Sequence, residues 1–310
     1  MNFSAAAEGS AGPRNSPCRS MDFHVYYYFV MTGEGKGSMD ERPIGVFDSG
    51  LGGLTAVRRL RQVLPAEDLV FLGDTGRVPY GSKSASTILR YAAEDMDFLL
   101  RQGVKAVVVA CGTVSSIALH TLQDRGVPVV GVVAPAARKA ASLTKNGRIG
   151  ITGTAAAIRA GAYAAALRAL SPGSESLAMA CPMFVPLIEG GDAEKGSRLL
   201  ETALEEYLGP IRAFGADTLI LGCTHYPLIA PAISGCVGRQ VQLVDVAAEA
   251  VDEMKTILEE RGMLARRLRP GSLQCWVTDS PGRFAALAGR FLPGPDTLNV
   301  RHTVLNKEKI

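Results

Sequence analysis

The chain has 310 residues, 47% hydrophobic but only 6% aromatic, with 34 glycines and 17 prolines. Its 33 basic and 30 acidic residues leave a formal charge of +3 and form no block of one sign, which argues against nucleic acid or an anionic membrane surface as partner. No apolar run approaches the roughly 18–20 residues that a membrane span requires, and the six cysteines lack both a disulfide-framework pattern and zinc-ligand spacing, which implies a reducing cytoplasm and no metal.

Residues 1–41, rich in Ser, Gly and Ala, have no sustained periodicity and read as a disordered N-terminal extension. The apolar stretch within it, FHVYYYFVM (23–31), is short and aromatic and lacks the small residues of a cleavage site. Met39 stands just before the first strand and is a candidate start. From Arg42 onward strand and helix patterns alternate. Strands are expected at 43–47, 68–72, 104–110 and 127–133, and helices at 54–64, 86–102, 115–125 and 136–144. The pattern restarts with a strand at 148–152, helices at 155–169 and 193–214, a strand at 218–221, a helix from 227, a strand at 241–244 and a helix at 247–261. A strand and a helix fill 273–291, and the tail after Leu292 looks irregular. Such alternation implies βαβ units about mostly parallel sheets. The expected organisation is a first α/β domain from 42–134 plus 247–310, and a second from 135–246.

The two halves repeat one another. RPIGVFDSG (42–50) resembles RIGITGT (148–154), and GVKAVVVACGT (103–113) parallels GADTLILGCTH (215–225), with glycine, an apolar strand and cysteine at the same offsets. Ligands of open α/β sheets sit at the carboxyl ends of strands. Two facing, pseudo-symmetric halves therefore bring Cys111 and Cys223 to one cleft.

A free cysteine on a strand is ordinarily a small buried hydrophobe. Here both stand at strand-to-helix junctions, where backbone N–H groups and the positive helix end favour thiolate. Removing a proton from an amino-acid α-carbon and returning it on the other face needs a base and an acid that exchange roles, which a pair of thiols can supply. The carbanion needs oriented donors, for which Thr113, Thr224 and the junction N–H groups are placed. Asp48 and Ser49 open the loop DSGLGG (48–53), whose glycines allow close approach to a ligand but lack the spacing of a dinucleotide site. Asp48 is a candidate to hold a substrate ammonium group or to help deprotonate Cys111, and otherwise an N-cap. His225, two residues after Cys223, is a candidate base or hydrogen-bond partner for that thiol. Asp74 in GDTGRVPYG (73–81) and Glu189 in VPLIEGG (185–191) are further acidic candidates, while Tyr80 and Gly81 offer an O–H and N–H groups to a substrate carboxylate.

These motifs together resemble the glutamate racemases of the aspartate/glutamate racemase superfamily. The resemblance runs over residues 43–291 and rests on DSGLGG (48–53), GDTGRVPYG (73–81), ACGT (110–113), CP (181–182) and LGCTHYPL (221–228). It implies a two-domain α/β fold around a central cleft, no cofactor, a homodimer, and interconversion of L- and D-glutamate for peptidoglycan. Carried over by position, it makes Cys111 and Cys223 the acid/base pair and Asp48 and His225 their activating partners. Ser49, Pro79, Tyr80, Gly81, Gly112, Thr113 and Thr224 become substrate contacts, Asp74 and Glu189 supporting acids, and Cys181 a structural residue. Two positions depart from the family pattern. Gly112 replaces Asn in Ala-Cys-Asn-Thr, and Ala157 replaces the second Thr of GTxxT. Each loss removes a polar contact worth about 1–3 kcal/mol where a partner is left unpaired, with Ser115 or water as the expected compensation. A racemase of another acidic amino acid, such as aspartate, and a non-catalytic amino-acid-binding or partner-regulating relative are the alternatives.

Overall fold

The computed structural model describes residues 40–193, 197–267, 269–292 and 298–305, so the extension expected at 1–41 lies outside the described residues up to Met39. Among the described residues the strands, numbered along the chain, form two sheets in which every pairing is parallel. The first contains β1 (Ile44–Asp48), β2 (Leu69–Gly73), β3 (Ala106–Val109), β4 (Val129–Gly131), β9 (Leu273–Val277) and β10 (Val300–His302), in the order β10-β9-β2-β1-β3-β4. The second contains β5 (Arg148–Gly153), β6 (Glu175–Ala180), β7 (Thr218–Leu221) and β8 (Gln242–Asp245), in the order β6-β5-β7-β8. In the first sheet Ile44 is level with Leu69 on one side and Ala106 on the other, and the three strands are buried throughout. That double-sided burial is why they read as unbroken apolar runs rather than alternating ones.

Parallel neighbours require crossovers, and helices supply them. Helix α1 (Leu54–Val63) joins β1 to β2, and α2 (Ala85–Arg101) joins β2 to β3. The Ser84 side chain caps α2 by accepting the Thr87 N–H, and Ile88, Ala92, Met96 and Leu99 form its buried stripe. Helix α3 (Gly112–Ile117) begins immediately after Cys111, three residues earlier than expected, and is only six residues long. Helix α4 (Val133–Leu143) carries the chain from one sheet to the other. The single helix expected at 155–169 is two, α5 (Ala155–Ala160) and α6 (Ala162–Leu170), broken where Gly161 takes φ +68°. Helix α7 (Phe184–Gly190) was not expected, nor were β6 and β10. Both strands are sheet edges with little burial: β6 packs only Leu177 and Met179 on the core and β10 is three residues long, so neither shows the unbroken buried run of the central strands. Helices α8 (Arg198–Phe214), α9 (Ala230–Val237), α10 (Val246–Glu260) and α11 (Pro281–Ala288) complete the layers. None of the described helices is long and apolar enough to cross a membrane.

One buried apolar cluster runs from the first sheet through α4, α6 and α10 into the second. A second cluster covers the other face of the first sheet. The amino ends of the first sheet are held by Lys105, whose ammonium lies 2.6 Å from Glu67 with both side chains almost fully buried. Lys105 also donates to the carbonyls of Asp40 and Met263, and Glu67 accepts the Ala265 N–H. Removing one partner of such a pair leaves a buried charge at about 3–5 kcal/mol. This buried pair ties the amino ends of the strands to the loops beside them; the opposite ends carry the candidate chemistry.

Candidate active site

The candidate residues gather at the carboxyl ends of the strands. Strand β1 ends on Asp48, β3 runs into Ala110 and Cys111, β5 into Thr154, and β7 into Gly222 and Cys223. The two lobes meet there over glycines. A Cβ on Gly112 would lie 2.3 Å from the Gly222 carbonyl oxygen, and one on Gly52 would lie 2.2 Å from Thr224 Oγ1 and 2.5 Å from His225 Nδ1. Thr113 and Thr154 join the lobes by a 2.8 Å hydroxyl–hydroxyl hydrogen bond. Gly52 therefore lets the DSGLGG loop of the first lobe touch the Cys223 segment of the second.

Both thiols are buried, Cys111 at 5% and Cys223 at 6% exposure. The junction after β3 does aim the Val114 N–H at Cys111, and the Cys111 sulfur lies 3.6 Å from Ser49 Oγ. Burial, followed by the charge of Asp48, nevertheless pushes the thiol up to about 12. The expected preference for thiolate at this junction is thus reversed. Cys223 has different company. Its sulfur lies 3.8 Å from His225 Nδ1, and His225 Nε2 lies 2.9 Å from Glu189 Oε1. Burial opposes the imidazolium, but the hydrogen bonds to Cys223 and Glu189 outweigh it and raise His225 to about 10. With both ring nitrogens protonated, Nδ1–H donates to the Cys223 sulfur and Nε2–H to the Glu189 carboxylate. The Phe291 ring meets His225 edge-on at 5.3 Å and shields it.

The other candidates fall into three groups. Asp48 accepts the N–H groups of Gly50 and Gly53 through Oδ2, which shapes the glycine loop. Its charge holds Cys111 protonated, the reverse of the expected activation. Ser49, Gly112, Thr113 and Thr224 line the junction beside the thiols. Pro79 and Gly81 flank Tyr80 on the loop after β2, where the Val78–Pro79 peptide is cis and a Cβ on Gly81 would sit 3.0 Å from the Thr154 side chain. The Tyr80 hydroxyl is not free for a substrate carboxylate, as the sequence reading allowed, because it donates to Asp74 and contacts Asp95 beneath the loop. Asp74 also accepts from Arg77 and from the Thr278 hydroxyl, so its role is to brace that loop. Ser115 cannot replace the family's asparagine: its hydroxyl donates to the Val109 carbonyl and accepts the Val132 N–H. Thr154 accepts the Ala157 N–H and caps α5, so the site of the second departure is a buried helix turn.

Sequence reasoning did not find Asp95, Arg77 or the lobe-bridging role of Thr154. Asp95 and Arg77 form a buried network with Asp74 and Glu94, in which burial and the charge of Asp74 raise the Asp95 carboxyl well above its ordinary value. Asp95 lies on the buried stripe of α2, where a carboxylate among apolar positions was the available signal.

Residues 44–254 match the Asp/Glu/hydantoin racemase family. The glutamate racemase of Geobacter metallireducens is 43% identical over 257 residues, covering 83% of this chain and 94% of its own. The crystal structure of a glutamate racemase isoform from Bacillus anthracis superposes with a TM-score of 0.82 at 35% identity, covering 86% of this chain and 98% of its own. That of the Francisella tularensis glutamate racemase, solved with D-glutamate, gives 0.80 at 35% identity, covering 86% and 99%. The chain belongs to the Asp/Glu/hydantoin racemase family and, within it, to the glutamate racemases.

Proposed function

We propose that this racemase interconverts L- and D-glutamate without a cofactor, with Cys111 and Cys223 working on opposite faces of the α-carbon. In the same reading it acts as a cytoplasmic homodimer that supplies D-glutamate for peptidoglycan. The observation that carries the mechanism is the contrast between the thiols: a protonated Cys111 beside Asp48, and a Cys223 that receives a hydrogen bond from an imidazolium backed by Glu189. D-glutamate in the Francisella tularensis relative supports the substrate.

In one direction Cys223, hydrogen-bonded by His225, acts as the base and Cys111 as the acid. The Cys223 thiolate takes the α-proton, the C–H electron pair passes into the α-carboxylate, and the Cys111 S–H delivers its proton to the other face. The Cys111 thiolate left behind accepts the backbone N–H groups of Ser49 and Val114 and the Ser49 hydroxyl. Reaction in the opposite direction starts from that state. Ser49, Thr113, Thr224 and the backbone at Gly112 hold the substrate's polar groups, and the backbone of Pro79, Tyr80 and Gly81 closes the cleft. Asp74 braces that loop, and Glu189 orients His225.

The test is a chiral assay of the purified protein on L-Glu, D-Glu, L-Asp and D-Asp with no added cofactor. Interconversion of the glutamates, with solvent deuterium entering Cα in D₂O, is the expected result. Preference for aspartate would move the substrate assignment, and glutamate binding without change of handedness would remove the enzymatic reading.

A further inference from the structure

Tyr163 is a buried polar side chain that the mechanism above does not use. It stands in the first turn of α6, directly after the Gly161 break, and is only 2% exposed. Its hydroxyl has no hydrogen-bond partner among the described residues. Leaving a buried hydroxyl unpaired costs free energy, and a phenylalanine of the same shape would avoid that cost. Such an orphan calls for an explanation in function.

Its position supplies one. The Tyr163 hydroxyl lies 3.7 Å from where a Cβ of Gly112 would stand, and the ring edge lies 3.2 Å from where a Cβ of Gly222 would stand. Gly112 follows Cys111 and Gly222 precedes Cys223, so the phenol spans the backbone between the two thiol-bearing strand ends. Burial, and then the charges that Cys223 and Cys111 can carry, push its ionisation to higher pH, which keeps it a neutral O–H donor. An α-carbon between the thiols presents an ammonium and a carboxylate. Asp48 supplies negative charge for the ammonium. The carboxylate gains charge as the α-proton leaves, and position 112, which has no side chain, offers it nothing beyond its backbone N–H.

We propose that Tyr163 is a substrate-binding residue whose hydroxyl donates a hydrogen bond to the α-carboxylate between Cys111 and Cys223. The proposal rests on the two-thiol reading. An interaction that strengthens as charge moves onto the carboxylate acts mainly on kcat.

The test is Tyr163→Phe. The expected result is a loss of about tenfold or more in kcat/KM, a matching slowing of α-deuterium incorporation in D₂O, and a Tm of the unliganded protein equal to or above that of the wild type. The rise in Tm produced by saturating L-glutamate should shrink. Unchanged kcat/KM would overturn the proposal, and so would a fall in unliganded Tm or a failure to fold, because the hydroxyl would then be structural. Cys111→Ala and Cys223→Ala are measured alongside. If either cysteine variant turned over normally, the two-thiol reading itself would fail; if both are dead and Tyr163→Phe is normal, only the role of Tyr163 is lost.

Discussion

Cys111 and Cys223 each follow a fully buried strand and each adjoin a glycine that is pressed against the other lobe, yet their electrostatic surroundings are opposite. Cys111 faces a carboxylate, Asp48, and a neutral hydroxyl, Ser49. Cys223 faces an imidazolium whose far nitrogen is anchored on Glu189. The backbone repeat places the two cysteines at matching strand ends, and the unrepeated side chains give them different neighbours. In the proposed reaction these different neighbours make one thiol the acid and the other the base. The repeat in sequence thus carries the geometry of the proposed reaction, while its polarity is assigned to Asp48 and His225, which stand where the other half has Gly153 and Thr113, and to Glu189, which lies outside the repeat.

Removal of either thiol is the most severe way to break the comparison. Cys111→Ala and Cys223→Ala should each lower racemisation by about a thousandfold or more, since each deletes one of two obligatory proton carriers. Solvent exchange separates them further. Cys111→Ala keeps the Cys223–His225–Glu189 chain and should still exchange the α-proton of one enantiomer with D₂O. Cys223→Ala starts from a protonated Cys111 and should exchange the other enantiomer more slowly. Equal exchange rates in the two variants would remove the asymmetry.

The next effect concerns that chain of residues. His225→Asn should cost about a hundredfold in kcat, the usual scale for a positioned proton-transfer partner, and Glu189→Gln about tenfold, as the loss of one charge-assisted hydrogen bond. Glutamate KM should move less than kcat in both variants, because neither side chain is assigned to the substrate. A steady-state comparison in which KM moves and kcat does not would reassign His225 to binding.

Much of this was legible in the sequence, for a physical reason. Buried parallel strands must be apolar on both faces, so β1, β3, β5 and β7 announce themselves, and the cysteines at their ends follow from the topology. The edge strand β6 packs only alternate residues, Leu177 and Met179, on the core, and β10 is three residues long, so neither carries that unbroken run. The α3 helix starts earlier than expected because Gly112 and Thr113, poor helix formers, are held there by the contacts of Gly112 with Gly222 and of Thr113 with Thr154 across the lobes. Protonation was the least legible property. The helix-junction argument gave Cys111 a thiolate, and only the packed structure shows that burial and Asp48 outweigh the N–H groups. Tyr163 lies within an alanine-rich stretch that reads as an ordinary helix, and nothing local marks its hydroxyl as unpartnered.

A smaller effect tests how closely the lobes close. A Cβ on Gly112 would lie 2.3 Å from the Gly222 carbonyl oxygen, which is backbone and has no rotamer through which to yield. Gly112→Ala should therefore separate the thiols slightly and lower kcat/KM by about tenfold, the scale on which small misplacements are felt in proton transfer. Stability should change little, because the lobes part at a cleft. The glycine beside Cys223 should respond differently. A Cβ there meets the Thr152 carbonyl oxygen within the second sheet at 2.3 Å, so Gly222→Ala should cost about 1–3 kcal/mol of folding stability, read as a drop in denaturation midpoint.

The smallest effect separates the two neighbourhoods without any turnover. His225 rises from 6.5 to about 10 on folding, so the folded protein binds its proton more tightly. Its contribution to stability is complete below about pH 6.5 and is lost as the pH climbs toward 10. Cys111 rises from 9.0 to about 12; its contribution is complete below about pH 9 and is lost between there and 12. Between pH 7 and 8.5 only the first of these changes, at about 1.4 kcal/mol per pH unit, or about 2–4 °C in Tm per kcal/mol for a protein of this size. The measurement is the difference in Tm between wild type and each variant across that range. His225→Asn should flatten the downward slope between pH 7 and 8.5, and Cys111→Ala should leave it intact and diverge from wild type only above pH 9. Parallel slopes for wild type and His225→Asn would mean that the imidazolium is not held in the folded protein, and with it would go the charged hydrogen bond proposed to activate Cys223.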